Sequence, residues 1–166
     1  MTKWMRRLFV MLVLGTLAPC QIGATMANGQ HVDITTKGPD GLPVIFWLIK
    51  QRDQAAVGAW LDSGGNIEAE GYHGATPVLA AAIVDNWPMV LYLIERGARM
   101  GVTDARGFTL AYRSATTRVA PDGILGPPLN AVRAHLAEAG LLERLYDPAA
   151  VRRMQAEGRW PPPGYR

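Results

Sequence analysis

GATPVLAAA, residues 74–82, is followed by a second apolar run, MVLYLIERGA, at residues 89–98. Thr76 followed by Pro77 is typical of a helix start, because the hydroxyl can cap the first turn and proline is tolerated there. Gly97 is typical of a helix end, where the backbone often turns left-handed. The segment therefore predicts two short helices joined by a turn and followed by a loop.

The pattern recurs along the chain with a period of about 33 residues, which is in the range typical of repeat proteins. Gly41, Gly74 and Gly107 are equally spaced, and the same interval separates Gly64 from Gly97. Such a period predicts supersecondary units that stack side by side, because one unit alone cannot bury its apolar face.

The middle unit resembles the ankyrin repeat, in which a Gly and the sequence Thr-Pro-Leu-His-x-Ala-Ala precede a Leu-rich helix and a closing Gly-Ala-Asp. The residues that match are Thr76, Pro77, Ala81, Ala82, Gly97 and Ala98. The unit departs at Leu79, where His is usual, and at Asp85, where Gly is usual. The resemblance implies an all-α solenoid of about three helix-turn-helix repeats, at residues 41–73, 74–106 and 107–145.

The outer repeats depart further from the pattern. The first lacks the Thr-Pro pair, and the third contains an insertion near residues 118–129. We expect the insertion to form a long turn between two helices, with Trp87 packing against it from a nearby turn. Residues 28–40 are expected to form an N-terminal cap. Residues 146–166 are expected to form a short helix and a Pro-rich tail in an extended polyproline conformation.

Composition favours one folded domain. The chain has 166 residues, of which 49% are hydrophobic and 19% charged, and its formal charge is +3. Lys3, Arg6 and Arg7 account for that charge, since 14 basic and 14 acidic side chains follow Ala27. A nucleic-acid partner is therefore not expected, because phosphate-binding surfaces need an excess of Lys and Arg.

Residues 1–27 resemble a secretory signal. A basic start precedes an apolar stretch at residues 8–18 and a small-residue end at residues 25–27. The apolar stretch is shorter than the roughly 20 residues that a membrane-spanning helix needs. This pattern predicts a signal peptide that is cleaved after residue 27, a periplasmic protein, and no membrane insertion after cleavage. An uncleaved anchor and the twin-arginine export route are the alternatives.

Cys20 allows another outcome. LAPC, residues 17–20, resembles the box at which bacterial lipoproteins receive a diacylglycerol, although Pro19 departs from it. Lipidation of Cys20 would make the protein an outer- or inner-membrane lipoprotein. Otherwise the cysteine is lost with the signal, and the mature chain has no thiol to oxidise.

Candidate chemistry is sparse. His31, His73 and His135 lack the spacing of a metal site, so neither a metal nor another cofactor is expected. Catalytic motifs such as G-x-S-x-G are absent from the sequence. Glu68 and Glu70 alternate along one loop and are interpreted as a solvated loop edge.

The resemblance implies that loop tips and first helices form a concave face that binds another protein. Aromatic and Arg side chains dominate interface energies, and exposed β-branched residues would add an apolar patch. The candidate contacts are Tyr72, His73, Ile83, Val84, Arg106 and Phe108. Alternatively, the N-terminal lead or the insertion covers Ile83 and Val84.

The resemblance to small exported bacterial ankyrin-repeat proteins implies a function. We expect a non-catalytic protein-protein interaction module in the periplasm, acting as an immunity protein that blocks an incoming effector. The alternative is an accessory to a periplasmic enzyme, such as one that handles peroxide. A third hypothesis is an enzyme whose site is built on the insertion, with Asp122 as its ionisable group.

Overall fold

The computed structural model describes residues 33–165, so the predicted signal sequence, Cys20 and His31 lie outside the described residues. Within this range the chain forms α-helices and no β-strand, which confirms the all-α prediction. The helices are α1 (Val44–Lys50), α2 (Gln54–Asp62), α3 (Pro77–Ile83), α4 (Trp87–Glu95), α5 (Leu110–Thr116), α6 (Gly126–Glu138) and α7 (Pro148–Ala156). None of the helices in residues 33–165 has both the length and the apolar character to span a bilayer.

The first six helices form three consecutive pairs, α1 with α2, α3 with α4 and α5 with α6. The first members of the pairs, α1, α3 and α5, begin at equal intervals along the chain, and α3 packs against both of the others. The second members are α2, α4 and α6, of which α4 packs against α6. Each pair contributes buried apolar side chains to one core, in which Ile45, Val78 and Leu110 are fully buried. This burial of one face of every helix stabilises the stack.

The loops that precede α1, α3 and α5 share one backbone geometry. In each loop an N–H donates to the carbonyl oxygen four residues later, at 2.8–3.2 Å. The three bonds are Gly38 to Leu42, Gly71 to Ala75 and Asp104 to Phe108. A glycine with a positive φ follows three residues after each donor, and these are Gly41, Gly74 and Gly107.

Gly107 is required for two reasons. Its φ is +84°, a backbone angle that residues other than glycine rarely adopt. In addition, a Cβ at this position would collide with the backbone carbonyl of Pro148, at the start of α7.

Three local predictions are wrong. Residues 126–129 belong to α6, so the loop between α5 and α6 is only residues 117–125, because Pro127 and Pro128 fit the first turn of a helix. Trp87 is the fully buried first residue of α4 and does not lie in a turn. Thr76 makes no capping hydrogen bond. Because Pro77 has no N–H, the first turn of α3 has one fewer unpaired donor to cap.

The C-terminal tail also differs from its prediction. Asp147 caps α7 by accepting a hydrogen bond from the Ala150 N–H at 2.8 Å, but residues beyond α7 turn back onto the array. The Tyr165 N–H donates to the Pro162 carbonyl at 3.0 Å. The rings of Tyr146, Trp160 and Tyr165 lie with their centroids 4.9–5.8 Å apart. Burial of these rings outweighs the extended preference of the prolines.

Candidate functional site

A groove of about 300 Å³ lies between the first two repeats of the array. It is bordered by α1, α3 and the loops that precede α3 and α5. Its lining residues are Leu42, Phe46, Ile49, Lys50, Tyr72, His73, Ala75, Ala80, Ile83, Val84 and Arg106. We call this surface the groove below.

The groove brings together five of the six candidate contacts. Tyr72 is 56% exposed and Val84 is 42% exposed, whereas Ile83 is half-buried. His73 and Arg106 occupy equivalent positions in successive loops, each directly before a glycine with a positive φ. These side chains therefore surround one concavity, although they come from two loops and a helix.

Phe108 does not line the groove. Its ring lies 6.1 Å from the ring of Tyr112 and 5.9 Å from the guanidinium carbon of Arg113, on the side of α5. The side chain is half-buried. The guanidinium carbon of Arg106 lies 5.4 Å from the centroid of the same ring, so Phe108 stands beside the rim without lining the groove.

The floor of the groove is apolar. Phe46 and Ile49 lie on one face of α1, because residues three apart share a helix face. Both side chains are buried. Ala75 and Ala80 complete the floor from the second repeat. A concave apolar surface with a few polar groups at its rim is the usual form of a binding pocket.

Lys50 provides a positive charge at the rim. Its Nζ lies 2.7 Å from Asp40 Oδ2 and 5.8 Å from the centroid of the Tyr72 ring. The hydrogen bond from Lys50 lowers the pKa of Asp40, so this carboxylate stays ionised and holds the lysine beside the groove.

Arg106 is held in place by a buried carboxylate. Its Nε donates to Asp104 Oδ2 at 2.8 Å, while Asp104 Oδ1 accepts from the backbone N–H groups of Arg106 and Phe108. Asp104 is 1% exposed. Arg106 Nη2 also lies 2.8 Å from Asp104 Oδ2, and these charge-assisted contacts fix the arginine at the rim.

Two further arginines lie at the end of α3 that borders the groove. Arg52 donates to the carbonyl of Val84 at 3.2 Å, and Arg113 donates to that of Ile83 at 3.2 Å. Cations at this end of a helix are stabilised by its unpaired carbonyls. Within residues 33–165 neither arginine forms an ion pair with an acidic side chain.

The two glutamates of the alternating pair have different surroundings. Glu68 accepts a hydrogen bond from the Arg99 N–H at 2.7 Å, and its other oxygen lies 3.3 Å from Arg99 Nε. Glu70 is exposed. The prediction of a solvated edge is therefore wrong for Glu68, because this side chain joins two repeats.

The remaining chemical candidates lie apart from the groove. Asp122 is exposed in the loop between α5 and α6, and His135 is half-buried on α6. In the part of the chain that the structure describes, no group of three or more His, Cys, Asp or Glu is arranged to hold a metal ion.

Sequence reasoning missed much of the floor. Leu42, Phe46 and Ile49 were recognisable only as apolar positions on one helix face, which is also the pattern of core residues. Ala80 gave a clearer signal. It is equivalent to Arg113 one repeat later. A small side chain where the next repeat has a large one indicates open space beside Ala80.

Comparisons of the chain with protein-family models, with curated proteins and with solved structures found no match.

Proposed function

We propose that this protein is a non-catalytic, ankyrin-type binding module of the bacterial periplasm, which captures a partner protein at the groove. The observation that carries the proposal is the convergence of Tyr72, His73, Ile83, Val84 and Arg106 on one apolar concavity. Aromatic and Arg side chains around such a concavity are typical of interface hot spots.

The repeated backbone geometry supports the ankyrin assignment. The first helices begin at equal intervals, and each is preceded by a loop with the same hydrogen bond and the same left-handed glycine. In a solenoid of this type each repeat rests on its neighbours, so loops and first helices are held in fixed positions. A preorganised surface loses little conformational entropy when it binds.

Export to the periplasm is the compartment we propose, on the basis of the basic and apolar pattern of residues 1–27. In that compartment the groove could serve an immunity protein, which would block an effector that arrives from another cell. The alternative role is that of an accessory to a resident enzyme, such as one that handles peroxide. Both roles use the same surface and differ in the identity of the partner.

Affinity capture with matched variants tests the proposal. The full chain with a C-terminal affinity tag is purified from a periplasmic extract of its own bacterium, and co-purifying proteins are identified by mass spectrometry. The double variant Tyr72→Ala/Arg106→Ala removes two rim side chains. The control, Ile124→Ala/Leu145→Ala, removes exposed apolar side chains outside the groove.

We expect one protein to co-purify with the unaltered chain and the control but not with the rim variant. Circular dichroism checks that all three are equally folded. Equal capture by the rim variant, or no protein enriched over the tag alone, would overturn the proposal.

A further inference from the structure

The groove exists because repeat two carries small side chains where repeat three carries large ones. Ala75 is equivalent to Phe108, and Ala80 is equivalent to Arg113, each pair being one repeat apart. Between α3 and α5, Arg113 reaches across to the carbonyls of Ala82 and Ile83 at 3.4 and 3.2 Å. Phe108 lies 5.9 Å from its guanidinium carbon. These two side chains occupy the space that remains open one repeat earlier.

The open space is suited to an apolar side chain from outside. Its floor is formed by Phe46, Ile49 and the two alanines, and its volume of about 300 Å³ is at the lower limit of typical ligand pockets. A pocket of this size admits one large side chain together with its flanking backbone. Burial of such a side chain contributes most of the binding energy in interfaces that have an anchor residue.

The rim adds a preference for negative charge. Lys50 and Arg106 line the groove, while Arg52 and Arg113 lie at the adjoining end of α3. The carboxylates that balance them are Asp104, which is buried, Asp40, which is bound to Lys50, and Asp85, which accepts from the Thr117 hydroxyl at 2.8 Å. Asp40 and Asp104 thus offset Lys50 and Arg106, whereas neither Arg52 nor Arg113 pairs with an acidic side chain in residues 33–165. The rim therefore keeps an excess of positive charge, which favours a carboxylate.

We infer that the groove is a specificity pocket for one large apolar side chain of a partner polypeptide, with an Asp or Glu within two residues of it. The apolar side chain occupies the space above Ala75 and Ala80. The carboxylate pairs with Arg52, which lies at the adjoining end of α3 and has no acidic partner in residues 33–165. This inference rests on the proposed function and specifies the chemistry of the partner that the same surface selects.

The sequence of repeat three suggests a variant that should fill the pocket. Ala80→Arg gives repeat two the side chain that repeat three has at the equivalent position, Arg113. Arg113 donates to carbonyls at the end of α3, the first helix of the preceding repeat. We therefore expect Ala80→Arg to fold, with its guanidinium reaching the end of α1. The control is Ala134→Arg, which adds the same charge at an exposed position on α6.

The test is selection from a phage-displayed library of random 12-residue peptides against the full chain, followed by binding of the enriched peptides to each variant. We expect the enriched peptides to share a large apolar residue within two positions of an Asp or Glu. Their affinity should fall at least tenfold for Ala80→Arg and remain unchanged for Ala134→Arg. Equal melting temperatures of the three proteins exclude unfolding as the cause of the loss.

Enriched peptides without that pattern, binding that survives Ala80→Arg, or no enrichment would overturn the inference. Its failure is distinguishable from that of the proposed function. If the protein captured in the periplasmic experiment is lost with Tyr72→Ala/Arg106→Ala but retained by Ala80→Arg, the binding function stands and the pocket has no part in it.

Discussion

The backbone N–H of Ala105 donates a hydrogen bond to the carbonyl oxygen of His73 at 2.8 Å. The bond joins the tips of two successive loops, whose side chains Tyr72 and Arg106 stand at the rim of the groove. His73 adopts a left-handed conformation, with φ of 57°, which directs its carbonyl into this contact. The two loop tips are thus joined by a backbone contact that does not depend on the side chains of Tyr72 and Arg106.

Substitution of Gly107 tests how strictly the loop geometry is required. We expect Gly107→Ala to lower the free energy of unfolding by about 3 kcal/mol, because a left-handed backbone and a collision with Pro148 both oppose the methyl group. Gly41→Ala is the matched control. It has the same backbone requirement but open space around it, so its cost should be about 1 kcal/mol. Urea denaturation measures both, and equal losses would contradict the packing of α7 on this loop.

Equivalent threonines at the starts of α3 and α5 provide a second comparison. The Thr109 hydroxyl accepts a hydrogen bond from the Tyr112 N–H at 3.0 Å, whereas the Thr76 hydroxyl is buried without a partner. Thr109→Val should therefore lower the free energy of unfolding by about 1 kcal/mol. Thr76→Val should change it by less than about 0.5 kcal/mol, since no bond is lost. A larger loss at Thr76 in thermal or urea unfolding would show that its hydroxyl does cap α3.

Tyr165 makes stability depend on pH in the alkaline range. Burial raises the pKa of its phenol above the ordinary value of 10.0, and the nearby Thr109 hydroxyl opposes part of the rise. The folded state therefore favours the neutral phenol. This contribution is complete below pH 10 and is lost as the pH rises through the raised pKa, because the unfolded chain ionises first.

The effect is measured as the free energy of unfolding between pH 8 and pH 11. We expect the unaltered chain to lose stability above pH 10 more steeply than Tyr165→Phe, which has no proton to release at this position. Identical slopes for the two proteins would mean that the phenol is exposed to solvent and that the tail does not pack as described.

The repeating part of the fold could be predicted because it depends on local signals. Left-handed glycines and apolar stripes recur in every repeat and act within one or two turns of the chain. The tail could not be predicted in the same way. Its prolines favour an extended chain, and packing of Trp160 and Tyr165 against Tyr146 and the core reverses that preference.

The candidate site was predictable at its rim but not at its floor. Tyr72 and Arg106 are at loop tips in the register that the equally spaced glycines set, so their position follows from the repeat. The floor depends on Ala80 being small beside a helix that already presents Phe46. Such a space arises where neighbouring repeats differ. Aligning the repeats by their similarities does not detect it.

Hydrogen-deuterium exchange of the full chain, alone and with its captured partner, tests the central claim most directly. If the groove is the binding surface, the partner should slow exchange in residues 70–75 and 103–106, which form its rim, and in residues 80–84 of its wall. Residues 117–125, in the loop between α5 and α6, should exchange at the same rate in both samples. Slower exchange in residues 117–125 with no change at the rim would contradict the account.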